Sequence, residues 1–129
     1  MAVPVLPSPS EPADKWEVQL RKGCLELAIL AVLWSERLYG LEIMRRLADG
    51  SGLIVPEGTV YPLLSRLKSE GLLSSEWVEA DAGHPRKYYR LTAAGRRRVV
   101  EMAGFWKNFS ASLDDLLVAV RKPIRKEER

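Results

Sequence analysis

With 129 residues, 47% of them hydrophobic, and a net charge of only +3, the chain has the size and apolar content of one small globular domain, for which oligomerisation is a natural support. Its longest uninterrupted apolar run, Leu27 to Trp34, is too short to span a bilayer, and the N-terminus lacks the charged-then-apolar pattern of a secretory signal. A single cysteine, Cys24, excludes an internal disulfide, so the expectation is a cytoplasmic protein with no membrane partner.

Residues 1–13, MAVPVLPSPSEPA, hold four of the eight prolines and show neither helical nor strand periodicity, which predicts a disordered tail. Asp14, with Glu17 after it, reads as the N-cap of a first helix running to about Ser35. Leu20, Leu27, Ala31 and Trp34 are expected to line its packing face, with Cys24 on the same row as a small core residue. Gly23 inside this helix costs about 1 kcal/mol relative to alanine, so a close helix contact is expected there. A second helix is predicted over Tyr39–Asp49, with Tyr39, Ile43, Met44 and Leu47 on one side and DGSG as its terminator. Leu53–Val55 reads as briefly extended, because Pro56 biases the residue before it.

The stretch GTVYPLLSRLKSEG, from Gly58 to Gly71, carries the third helix. A start near Gly58 or Thr59 places Pro62 in the first turn, where its missing N–H breaks few bonds. Val60, Leu63, Leu64 and Leu67 follow helical spacing and face the core, leaving Thr59, Tyr61, Pro62, Ser65, Arg66, Lys68 and Ser69 on the other side. Gly71 is the expected stop. Strands over Leu73–Glu79 and Arg86–Leu91 then form a hairpin joined by ADAGHP. Thr92 caps a long last helix whose Val99, Met102, Trp106, Phe109, Leu113, Leu116 and Val120 alternate steps of three and four, the seam of a helix that packs on another helix.

Charge is unevenly spread. Between Ala82 and Val100 there is no Asp or Glu, while Arg86, Lys87, Arg90, Arg96, Arg97 and Arg98 give six positive charges, the footprint of a polyanion partner. Three helices followed by a hairpin are the winged helix-turn-helix arrangement. The fold class expected is therefore mainly α with a small β-hairpin: a DNA-binding domain over residues 14–91, a C-terminal dimerisation helix over 92–121 and a polar tail over 122–129. The third helix is thin enough for a major groove about 12 Å wide. Thr59, Tyr61, Ser65 and Arg66, flanked by Lys68 and with Tyr39 at the second helix, are expected at the DNA. Arg86, Lys87 and Arg90 on the wing would neutralise phosphates, and His84 at its tip reads as a polar loop residue or a minor-groove probe. A lone histidine, a lone cysteine, no Gly-rich phosphate loop and the non-converging neighbours Asp114 and Asp115 predict no enzyme, no cofactor and no metal. A protein-interaction module without effector binding is the alternative.

LRKGCLELAILAVL, YGLEIMRRL, GTVYPLLSRLKSEGLLSSEW and PRKYYRLTAAG, in that order, resemble the successive blocks of PadR-type transcriptional regulators across roughly residues 20 to 98. The single terminal helix is similar to that of the shorter PadR class. The resemblance implies a homodimeric repressor on a palindromic double-stranded operator, nucleoid-associated when bound. Its dimer seam would take in Leu20 and Leu27 of the first helix with Val99, Met102, Trp106, Phe109, Leu113, Leu116 and Val120. It also implies release by a small aromatic or lipophilic effector, with Trp106 at the matching position and Phe105, Phe109 and Trp16 nearby. At Trp106, packing between subunits and contact with a ligand both stand as readings. The sequence departs from the family at Gly40-Leu41, where many members have Gly-Tyr.

Overall fold

The computed structural model describes residues 14–49, 52–80 and 83–122; the tail expected at 1–13 and most of the polar C-terminus lie outside them. Seven elements follow one another: α1 (Lys15–Val32), β1 (Leu38–Tyr39), α2 (Gly40–Ala48), α3 (Glu57–Ser69), β2 (Leu73–Val78), β3 (Arg86–Leu91) and α4 (Ala93–Arg121). This is a winged helix-turn-helix with a long C-terminal helix.

Asp14 caps α1 as expected, its carboxylate accepting from the N–H groups of Trp16 at 2.8 Å and Glu17 at 3.3 Å. The buried face of α1 is not the expected one. Leu25, Ile29 and Leu30, with Leu33 just after the helix, enter the core, whereas Leu20, Ala31 and Trp34 are exposed and the helix ends at Val32, not near Ser35. α1 carries two apolar rows, and the one containing Leu20, Cys24 and Leu27 looks toward α4 instead of the core. Gly23 makes no close contact; an added Cβ would meet nothing within 4 Å.

Tyr39 lies in β1, not in the second helix, and its N–H donates to the Glu42 carboxylate at 3.1 Å to start α2. Ile43 and Leu47 of α2 and Val60, Leu64 and Leu67 of α3 complete the helical core. α3 begins at Glu57, earlier than expected, which moves Pro62 beyond the first turn. The lost bond would have used the Gly58 carbonyl; both residues are exposed, so water can serve that oxygen instead.

The end of α3 is sharply defined. Gly71 takes φ +79°, and the N–H groups of Gly71 and Leu72 donate to the carbonyls of Lys68 and Leu67, both at 3.0 Å, closing a Schellman motif. β2 and β3 pair antiparallel from Leu73↔Leu91 to Val78↔Arg86, and β1 joins the far side of β3 through Leu38↔Tyr89 and Tyr39↔Tyr88.

Thr92 ties this unit to α4. Its hydroxyl donates to the Gly71 carbonyl at 2.6 Å and accepts from Gly95 N–H at 3.0 Å, while its own N–H donates to the Leu72 carbonyl at 3.1 Å. Arg96 adds a second tie, donating to the Trp34 carbonyl at 3.0 Å with its guanidinium 4.6 Å over the Trp34 ring. Val99 was expected in the subunit seam, yet it is buried in the chain's own core, and Met102 packs against that core. Beyond Met102 no residue of the helix joins the buried core, and Trp106, Phe109, Leu113, Leu116 and Val120 are all exposed, Leu116 to 75%.

Candidate nucleic-acid interface

The outward side of α3 presents Tyr61, Ser65, Arg66 and Lys68 to solvent, with Thr59 half-buried at its start. Its inner apolar row fixes that side in orientation, since rotating the helix would expose Val60, Leu64 and Leu67.

Arg66 is less free than its position in sequence suggests. One guanidinium nitrogen donates to Glu26 of α1 at 2.8 Å, and another reaches both oxygens of Glu70, at 2.8 and 3.0 Å. These carboxylates, Glu26 first, hold the guanidinium pKa further above its already high ordinary value. Arg66 thus braces α3 against α1 through Nη1 and Nη2, while its Nε–H and second Nη2–H have no partner among the described residues and remain open to a base or phosphate. Glu26 also lies 3.9 Å from Arg98 of α4, so one acidic side chain joins three helices.

The wing divides its basic residues into two groups. Arg90 shares the Glu76 carboxylate with Arg37, at 2.9 and 2.6 Å. The hydrogen bond from Arg37 is the main reason that this carboxyl sits below the usual carboxylate range. Arg86 and Lys87 make no ion pair among the described residues and lie against rings instead. Arg86 is 4.6 Å from the Tyr39 centroid, and Lys87 is 5.8 Å from those of Trp77 and Tyr89. Such stacking leaves the charge available to an anion. His84 is exposed in the connecting loop beside Gly83.

Between α3 and the wing runs a cleft of about 380 Å³, walled by Tyr61, Trp77, Lys87 and Tyr89 with Tyr39, Gly40, Leu41 and Arg86 at its margin. Burial, with Tyr61 nearby as the lesser cause, raises the Tyr89 hydroxyl pKa. Trp77, Leu41, Arg37 and Glu76 are not among the residues expected from the sequence: Trp77 and Leu41 are apolar, Glu76 is acidic, and Arg37 lies just before β1, outside α3 and the wing. Alternation along β2 places Trp77 on the same sheet face as the buried Leu73, and its pairing with Lys87 puts it at the α3 side of the wing.

A second concavity, about 620 Å³, lies between α1 and α4. It brings together Leu20, Cys24, Leu27, Met102, Phe105, Trp106 and Phe109, with Gln19, Gly23, Arg98 and Glu101 at its edges. The rings of Phe105 and Phe109 stack at 5.7 Å, and Trp106 lies 6.3 Å from Phe109. Trp16, expected in this group, is 66% exposed and does not line it, because it sits in the first turn of α1, short of the stretch that faces Trp106.

The model of the transcriptional regulator PadR-like family matches residues 29–101. The transcriptional regulator Rv3488 of Mycobacterium tuberculosis is 35% identical over 83 residues, 64% of this chain and 76% of that protein. Among solved structures, a PadR-like transcription factor from Bacteroides fragilis is 44% identical, with a TM-score of 0.65, covering 80% of this chain and 99% of that one. A PadR-like regulator from Bacillus cereus is 34% identical with a TM-score of 0.71, covering 78% and 97%. These relatives are transcriptional regulators, not enzymes.

Proposed function

Since the chain belongs to the PadR-like family of transcriptional regulators, we propose that it is a homodimeric, sequence-specific DNA-binding repressor released from a palindromic operator by a small aromatic effector. The observation that carries the DNA reading is the pairing of two features on one side of the molecule. The polar ridge of α3 stands beside a wing whose Arg86 and Lys87 remain unpaired among the described residues. Tyr61, Ser65 and Thr59, with Lys68 at their flank, address the major groove, and Arg86 and Lys87 hold the adjacent phosphates. Arg90 contributes in part, because Glu76 already shares its charge. Arg66 enters the contact through the donors that Glu26 and Glu70 do not occupy, its charge already shared with those carboxylates.

The dimer reading rests on α4. From Trp106 to Val120 an apolar row runs about 21 Å along one side of the helix, exposed throughout. Covering each such side chain stabilises association by about 1.5–3 kcal/mol at full burial, and a second copy of α4 has the matching row. The effector reading rests on the concavity between α1 and α4, whose apolar walls and stacked rings suit a flat hydrophobic molecule. No helix among the described residues is long and apolar enough to cross a membrane, in keeping with a protein that works on intracellular DNA.

Selection from a pool of randomised duplexes tests the proposal. The expected result is enrichment of an inverted repeat whose half-sites are about 34–36 Å apart or a multiple of that. Failure to enrich any duplex, together with binding to a protein partner, would favour an interaction module instead.

A further inference from the structure

Gly40 opens α2 directly after β1 and is buried, and the ring of Tyr61 lies across it from the outward side of α3. A Cβ at residue 40 would stand 2.6 Å from both Cε1 and the hydroxyl oxygen of Tyr61, and 2.8 Å from Cζ. Non-bonded carbon atoms pack at about 3.5–4.0 Å, so no other side chain coexists with this ring position. Gly40 does not have positive φ, so its backbone makes no demand for glycine. Alanine would also suit the helix better. What glycine accommodates here is the Tyr61 ring.

The three nearest obstacles all belong to the far end of the Tyr61 side chain. A larger residue at position 40 would therefore leave α2 and α3 in place and swing the ring out. That ring is one wall of the cleft between α3 and the wing. Opposite it stand Trp77, which is 69% exposed, and Lys87, close to the rings of both Trp77 and Tyr89. Aromatic faces alternating with unpaired cations match the sugar–phosphate backbone of one DNA strand, with rings against the sugars and ammonium or guanidinium groups at the phosphates.

We infer that Gly40 is a positioning residue for DNA contact: it holds Tyr61 as the α3 wall of a strand-binding cleft whose wing wall is Trp77 and Lys87. This rests on the DNA-binding reading above. A ring already locked in place loses little freedom when the strand arrives, and a displaced ring must be reordered at that moment.

The test is a double-mutant cycle read by fluorescence anisotropy, with the full chain and a short labelled duplex selected on the parent protein. Gly40→Ala and Tyr61→Ala are each expected to weaken binding about three- to tenfold, the scale of one lost contact. The double variant is expected to bind no more weakly than Tyr61→Ala alone. In protein carrying fluorotyrosine, Gly40→Ala should move the Tyr61 resonance most, with smaller shifts at its cleft neighbours Tyr39 and Tyr89, while the thermal midpoint stays put. Parent-like affinity in Gly40→Ala, or additive losses in the double variant, would overturn the role of Gly40 and leave the DNA reading intact. A double variant that fails to fold would also overturn it, since the space at Gly40 would then serve something besides Tyr61. A parent protein without affinity for any duplex would overturn both.

Discussion

Replacing Gly95 with alanine perturbs the joint that sets α4 against the end of α3. The new Cβ would fall on the Leu72 carbonyl oxygen, 3.1 Å from the carbonyl carbon and 3.2 Å from Leu91 Cδ2. The carbonyl cannot turn aside easily, because Thr92 N–H holds it at 3.1 Å while the Thr92 hydroxyl holds the neighbouring Gly71 carbonyl at 2.6 Å. Relief requires the first turn of α4 to lift from the turn that ends α3. Overpacking of this kind costs about 1–3 kcal/mol. Because the clash is with a held backbone carbonyl, the upper end of that range applies; alanine's better helix propensity offsets up to about 1 kcal/mol, leaving a net loss of about 2 kcal/mol. Urea titration at fixed protein concentration should show a lowered midpoint with an unchanged slope. A tilted α4 would also alter the span between recognition helices in a dimer. Affinity for a duplex with two half-sites should therefore fall more than affinity for one half-site. A Gly95→Ala protein with the parent's urea midpoint and the parent's preference for two half-sites would refute the claim that this contact sets the pose of α4.

Other perturbations separate the remaining parts of the interface. Lys87→Ala should lower the slope of log affinity against log salt by about one unit, for specific and non-specific duplexes alike; an unchanged slope would remove Lys87 from the phosphate contact. Glu76→Gln frees Arg37 and Arg90 from their shared carboxylate. It should raise affinity for duplex DNA at low salt, which a salt titration beside the parent would reveal, and weaker binding would contradict it. Because the Glu76 pKa is lowered in the folded chain, its ion pairs contribute above the ordinary carboxylate pKa and are lost as pH falls through the lower folded value. A carboxyl NMR titration in which Glu76 protonates at the usual carboxylate pH would count against the Arg37 bond. Leu116→Asp, which places a charge on the exposed α4 row, should shift sedimentation toward monomer without unfolding the chain, and an unaltered dimer would place the seam elsewhere.

Features governed by near neighbours in the chain were legible from sequence. The caps at Asp14 and Thr92, the stop at Gly71 and the inner row of α3 each depend on residues within a turn or two, and they stand where local rules put them. The hairpin likewise follows from alternation on either side of a Gly- and Pro-marked loop. What escaped depends on distant partners. α1 bears two apolar rows, and periodicity alone does not say which meets the core and which meets α4. β1 is two residues long and exists only because β3 offers an edge, so Tyr39 reads as helical until that edge is known.

The same division runs through the interface. Polar residues on the outward side of α3 could be named from helical geometry, but the hold of Glu26 on Arg66 spans 40 positions and has no local signature. The wing arginines look alike in sequence, and the register leaves Glu76 opposite Tyr88, two positions from either; only the folded side chains show that Glu76 takes Arg90 and leaves Arg86 against Tyr39. Trp77 reads as an ordinary strand aromatic until its face of the sheet is seen to continue past the core toward Tyr61. The apolar row on α4 was legible as a period, and the point at which it turns from the chain's own core at Val99 to solvent was not.

Hydroxyl-radical footprinting of the protein on a selected duplex, with the stoichiometry of the same complex measured by sedimentation, bears most directly on the central claim. The account predicts two chains per duplex. It also predicts two protected patches about 34–36 Å apart or a multiple of that, each lost when Lys87 and Tyr61 are replaced by alanine together. One chain per duplex, or protection that persists without Lys87 and Tyr61, would contradict it.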